Sequence, residues 1–324
     1  MKKTILAACV AIIAACQGCS NTPAQPQSIV PLYSELASFA VIDSARAVGI
    51  MRTDSLSIRA MTQVLGADST VTYPELVAWS HSLPVTIFTP AVDSIFPSLL
   101  PVEQALGGIL QNAAQHDMQL PPRTYTAVVW GNRHSIVFNE PVMLIALNHY
   151  LGAEYPGYAH WPSYARLDKK PERLPYDMAE ALTANKYPFE KTKAYTTLSR
   201  LLYEGALIYA KTKLVPQASL AEALGYSPEQ LEWCEKNQPE IWQKLVAADL
   251  LYDTDESTAE RLVAPAPNTG VISTYTPGRL GRFIGYRIVC EYLDSERSLT
   301  IPELLSPTFY DNPDILKLSR YSGE

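Results

Sequence analysis

Strand-type alternation is confined to one stretch of this chain, residues 123–147, and helical periodicity dominates the residues C-terminal to it. That distribution constrains the fold more than any motif does. A sheet of three or four short strands cannot enclose a core by itself and must be covered by helices. Residues 123–130 alternate β-branched and aromatic side chains, Gly131-Asn132-Arg133 has turn composition, and residues 134–139 return. Residues 141–147 form a continuous apolar run, as expected of a strand covered on both faces. The expected class is α+β, a small N-terminal-to-central sheet followed by a largely helical C-terminal half in a single large domain.

The helical segments carry their own punctuation. Residues 73–82 and 101–116 have helical spacing, and so does the 191–211 stretch through Leu198, Leu201, Leu202, Gly205, Ala206 and Tyr209. Ser227-Pro228-Glu229-Gln230 and Thr300-Ile301-Pro302-Glu303 are capping boxes, and Asn312-Pro313 is a further helix start. In residues 279–292, Gly281 and Gly285 lie one turn apart. Both are expected to meet a neighbouring helix, the one bearing Gly205, at close backbone distance.

The N-terminus points to a compartment. Lys2 and Lys3 precede an uncharged apolar run from residue 4 to 15, too short at 1.5 Å per residue to cross a bilayer core of roughly 30 Å. Residues 1–15 read as a signal peptide. Ile13-Ala14-Ala15-Cys16 resembles the bacterial lipobox, which makes Cys16 the expected lipidated residue. Cys19 is the alternative, and Cys9 leaves too short an apolar run. Acyl chains of the palmitate type, at ~0.8 kcal/mol per buried methylene, would anchor the mature chain. Residues 16–30 read as a polar tether and residues 31–324 as the globular domain. Cys234 and Cys290 lie in apolar helical stretches, where two thiols are expected rather than a disulfide.

Composition excludes more than it assigns. With 33 acidic against 26 basic residues and a net charge of −7, the chain lacks the basic balance of a nucleic-acid binder. No nucleophile elbow, P-loop or glycine-rich dinucleotide turn occurs, and no two of the five histidines are four residues apart. The acidic group Asp253, Asp255 and Glu256 reads as a helix start with Asp255 as cap rather than as a Ca²⁺ loop. Tyr150, Tyr155, Tyr158, Trp161 and Tyr164 read either as a loop packed by its own aromatics or as a platform for sugar or peptide.

Several segments together carry a resemblance. Residues 148–158 (NHYLGAEYPGY) and 161–166 (WPSYAR) are followed in order by YEGALIY at 203–209, GYSPEQLEWCEKNQPEIW at 225–242 and LLYDTD at 250–255. PGRLGRFIGYRIVCEYL at 277–293 and ILKLSRY at 315–321 complete the series. This order resembles the GldB family of gliding-motility-associated lipoproteins of Bacteroidetes. The resemblance implies a non-catalytic outer-membrane lipoprotein that supports assembly or function of cell-envelope surface machinery. Its partners would be the membrane, through the lipid, and other envelope proteins. The absence of acidic residues beside Cys16 places the globule on the periplasmic face.

The family is itself similar to zincin-type zinc metallopeptidases, in which a His-Glu-x-x-His helix precedes a helix with Glu-Gly-x-Ala. Glu204-Gly205-Ala206 resembles the second helix. In the first, residues 174–184, Tyr176-Asp177-Met178-Ala179-Glu180 fills the spacing and both histidines are gone. Tyr176, Asp177, Glu180 and Glu204 are thus implied to be vestigial positions, with no metal and no cofactor. Glu204 is expected to be buried beside an arginine, from Arg279, Arg282 or Arg287. Two alternatives stand beside this: a hydrolase with a carboxylate-held metal at Asp177, Glu180 and Glu204, and a peptidoglycan- or glycan-binding protein using the 150–164 aromatics.

Overall fold

The sheet forms where the alternation lies, with one strand more than the three visible in sequence. The structure, a computed structural model, describes residues 24–39, 41, 45, 60, 62–64, 66, 71–129, 134–295 and 298–324. The signal peptide, Cys16, Cys19 and the Gly131-Asn132-Arg133 turn lie outside the described residues. The added strand is β1 (Ile29–Val30), which pairs parallel with β2 (Thr124–Val128). The end of the segment read as a tether therefore belongs to the fold. Ile29 N–H donates to Glu103 Oε1 at 2.9 Å, and Gln27 N–H to the Glu103 carbonyl at 2.9 Å.

Strand order is β1-β2-β4-β3, with β3 (Ile136–Asn139) antiparallel to β4 (Val142–Ala146) and β4 parallel to β2. The returning strand thus pairs with β4 and not with β2. The physical reason is burial: β4 is apolar on both faces and takes the central place, while β3 is only half-buried and fits an edge. Val128, Val142, Leu144 and Ala146 share one face and pack on Leu32, Leu36 and Phe39, from α1 (Leu32–Ser38) and its C-cap, and on Leu76 from α2 (Tyr73–Ser80). Tyr125, Ala127, Met143 and Ile145 face the larger core built by the helical half.

Between α2 and the sheet lie α3 (Leu83–Ile95) and α4 (Leu100–Gln115). After the sheet come α5 (Ser163–Arg166), α6 (Leu174–Lys186) and α7 (Thr197–Leu214), the last almost wholly buried. Around them pack α8 (Leu220–Leu224), α9 (Pro228–Lys236), α10 (Gln238–Ala247), α11 (Glu256–Val263) and α12 (Leu280–Asp294). The chain closes with α13 (Ile301–Leu304), α14 (Pro307–Tyr310) and α15 (Ile315–Ser319). Among the described residues no single helix is long and apolar enough to cross a membrane.

Local chemistry sets most boundaries. Both capping boxes form, at Ser227/Gln230 and Thr300/Glu303, and Asp255 caps α11 by accepting from Ser257 N–H at 2.9 Å. The 191–211 helix begins only at Thr197. Thr196 supplies a cap there, and Thr197 and Leu198 donate to the carbonyls of Asp253 and Leu251, which hold the helix start in place. The last helix starts at Ile315, because Asn312 spends its side chain on an Asx turn to Asp314 N–H at 3.0 Å. Gly285 meets α7 as expected, its Cα side against Leu201 and Gly205. Gly281 faces α11 instead, against Leu262 and Val263. Cys234 and Cys290 are free thiols.

Candidate functional site

Helices α6 and α12 bring charged residues to one wall of a cavity of about 670 Å³, and α7 adds two more from behind that wall. On α6, Asp177 and Glu180 are three residues apart and share a face. On α7, Glu204 and Lys211 are seven apart, two turns, so the otherwise apolar buried face carries one acid and one base. Arg282 comes from the first turn of α12, and Arg279 is the cap before it, held at φ 63°. Asp168 and Lys169 come from the turn after α5, and Arg173 stands one turn before Asp177.

Arg282 is the centre of the arrangement. Its Nε donates to Glu204 Oε2 at 2.8 Å and its Nη2 to Glu180 Oε1. The remaining oxygens are also taken. Arg200, one turn before Glu204, donates from Nε to Glu204 Oε1 at 2.9 Å, and Lys211 donates to Glu180 Oε2 at 2.6 Å. Asp177 accepts from Arg173 Nε at 3.2 Å and from the buried Tyr150 hydroxyl at 2.9 Å. Asp168 is held by Arg279, which also donates to the Gly225 carbonyl at 3.1 Å. Four acids thus meet five bases along and behind the cavity wall.

The surroundings shift the titrating groups in different directions. Against burial, which works the other way, Arg282 and Lys211 hold the Glu180 carboxyl well below the ordinary carboxylate range. Against the same effect Arg279 and Arg173 lower Asp168. At Asp177 burial wins, and its carboxyl sits above the usual value despite Arg173. Lys211 is 0% exposed. Burial pushes its ammonium down to about 7, which Glu180 opposes and Arg282 and Arg173 reinforce.

The implied positions separate cleanly. Glu180 and Glu204 share one network through Arg282, the expected arginine beside Glu204, while Asp177 belongs to a neighbouring one with Arg173, Asp168 and Arg279. Arg279 binds Asp168 instead. Arg287 stands roughly 140° further round α12 than Arg282 and pairs with Glu291 at 3.6 Å. Tyr176 also stands apart: its hydroxyl accepts from Ser219 N–H at 2.7 Å. Asp168, Lys169, Arg173, Arg200 and Lys211 are residues that sequence reasoning missed. Two of them had a signal, the four-residue spacings Arg173–Asp177 and Arg200–Glu204, and Lys211 had another as a base on an apolar stripe.

The 150–164 aromatics fall into a packed group and a cavity-lining group. Tyr150 and Tyr158 are buried, and Tyr155 packs edge-on against Tyr158 at 5.1 Å and near Phe88 at 6.1 Å. Trp161 and Tyr164 line the cavity, with the Lys169 ammonium 4.7 Å from the Trp161 ring centre.

The donor set does not fit a catalytic zinc. Such a site takes three protein ligands and leaves one position open. Here each carboxylate oxygen that Glu180 and Glu204 could offer already accepts from a protein cation. Among the described residues no group of three His, Cys, Asp or Glu side chains is arranged to hold a metal ion. The chain matches a family model described as gliding motility protein GldB over residues 58–323. No curated protein and no solved structure matches it.

Proposed function

The chain belongs to the gliding motility protein GldB family, and from that premise we propose that it is a lipid-anchored, non-catalytic component of gliding or related surface machinery. The anchor is Cys16, which would hold the globule at the periplasmic face of the outer membrane. One sequence feature supports the assignment: a leader whose end, Ile13-Ala14-Ala15-Cys16, resembles a lipobox.

The observation that carries the non-catalytic role is the Arg282 clamp on Glu180 and Glu204. In a zincin-type hydrolase the corresponding region would hold a cation supplied by solution. Here the cations are Arg282 and Arg200, built into the chain, and the Lys211 amine donates to Glu180 beside them. The carboxylates then act as structural cross-links between α6, α7 and α12. The test is replacement of the resident gene in a gliding host by a Glu180→Gln/Glu204→Gln double variant. Spreading is expected to fall only in proportion to the loss of protein from the envelope fraction. Abolished spreading at wild-type abundance would overturn the non-catalytic role.

A further inference from the structure

Lys169 is unlike the other bases that line the cavity or back its wall. Arg173, Arg279, Arg282 and Lys211 each have a carboxylate partner. The Lys169 side chain lines the same cavity and is only 8% exposed, yet its ammonium makes no hydrogen bond or ion pair among the described residues. It rests on the Trp161 ring at 4.7 Å and nears the Tyr158 ring at 5.9 Å. Burial weakens its hold on a proton against the pull of the nearby Asp177 and Asp168 carboxylates, and the desolvation of such an ammonium has a cost that an acceptor in the cavity would offset. Two aromatic faces offset only part of that cost.

The cavity itself adds three features. Its lining holds Lys169, Arg173, Arg279 and Arg282 against Asp168, Asp177 and Glu180, so the excess charge is positive. Arg279 has a second unmet donor, its Nε, which is buried without a partner among the described residues. Trp161 and Tyr164 supply flat apolar walls beside Lys169. At about 670 Å³ the space lies in the ~300–1,000 Å³ range of small-molecule sites.

We propose that this cavity binds a small organic anion of up to roughly tripeptide size, its carboxylate or phosphate oxygens on the Lys169 ammonium and its body against Trp161 and Tyr164. The Arg173–Asp177 and Arg279–Asp168 pairs fix the cavity wall, so the site is preformed around the Lys169 ammonium. Such a ligand is independent of the motility role and of metal chemistry, and its test leaves both untouched.

Isothermal titration calorimetry on the detergent-solubilised full lipoprotein reads the proposal directly. The probes are N-acetyl-trialanine with a free carboxylate, the same tripeptide as its C-terminal amide, phenyl phosphate and inorganic phosphate. The free acid or a phosphate is expected to bind. If the acid binds, its amide should be about tenfold weaker or worse, which corresponds to losing about 1.4 kcal/mol. Binding by the acid assigns a carboxylate ligand, and binding by the phosphates alone assigns a phosphate; either supports an oxyanion site. Lys169→Met should lower affinity for the bound anion at least about tenfold, and Lys169→Arg should restore part of it, with thermal melting confirming that both variants are folded. The proposal is overturned if no probe binds, if acid and amide bind alike without phosphate binding, or if folded Lys169→Met binds as well as wild type.

Discussion

Gly285→Ala is the smallest change that should disturb the central helix pair. A Cβ placed on Gly285 would come within 2.6 Å of the Leu201 carbonyl carbon, closer still to its oxygen, and within 3.2 Å of the Gly205 nitrogen. Ordinary carbon contacts lie near 3.5–4.0 Å, so α7 and α12 must part by at least about 1 Å. The obstacle is backbone on a buried helix and cannot rotate away. Overpacking of this kind costs about 1–3 kcal/mol, and a backbone clash belongs at the upper end. Alanine's better helix propensity returns about 1 kcal/mol, leaving a net loss of about 2 kcal/mol. At roughly 1.5 °C per kcal/mol for a chain of this size, the thermal midpoint should fall by about 3 °C. Gly205→Ala meets the same contact from the other side, where its Cβ would run into the Gly285 backbone. The double variant should therefore lose less than the sum of the two singles, because one separation relieves both clashes. Circular dichroism melts measure all three. A Gly285→Ala midpoint at or above wild type would refute the close-contact account.

The charged network and the anchor give three more expectations. Glu204→Gln should lower stability by about 2–3 kcal/mol in a denaturant titration, below the ~3–5 kcal/mol of a fully stranded buried charge because Glu180 still holds Arg282. An unchanged midpoint would show that Glu204 is not structural. Lys211 gives a pH dependence of definite sign: unfolded it keeps its proton to about 10.4, folded only to about 7, so the unfolded state binds more protons between these values. Its contribution to stability should therefore rise with pH across that window, and Lys211→Met should show a shallower rise in melting temperature from neutral to mildly alkaline pH; parallel profiles would contradict it. Cys16→Ala should abolish incorporation of a fatty-acid analogue and release or strand the precursor, whereas persistent label would move the site to Cys19.

Much of the scaffold is legible in the sequence because it rests on local chemistry. The capping boxes at Ser227 and Thr300, the Asp255 cap and the alternating strand at 124–128 are each fixed by residues within a few positions. The features that escape depend on partners distant in sequence. The place of β4 between β2 and β3, and the recruitment of Ile29 and Val30, come from which strand is apolar on both faces and what lies beside it in space. Gly281 shows the same limit: two glycines one turn apart meet two different helices, a fact set by the three-dimensional packing of α11. At the site, the link between Glu204 and Arg282 is legible, since a buried acid on α7 needs a base and α12 offers one. Lys211 carries a quieter signal, a base seven residues from Glu204 on an otherwise buried face. Lys169 carries none, because what sets it apart, an ammonium on the Trp161 ring that no carboxylate among the described residues bonds, is a matter of placement in three dimensions.

The central claim is that protein cations, not a metal, hold the carboxylates of α6 and α7. Metal stoichiometry on the purified lipoprotein, read together with melting before and after chelation, tests it most directly. The account predicts no stoichiometric zinc or manganese and a thermal midpoint unmoved by chelator, since Arg282, Lys211 and Arg200 are part of the chain. One equivalent of metal in the protein as purified, with a midpoint that falls on chelation and recovers when one equivalent of Zn²⁺ or Mn²⁺ is returned, would contradict it.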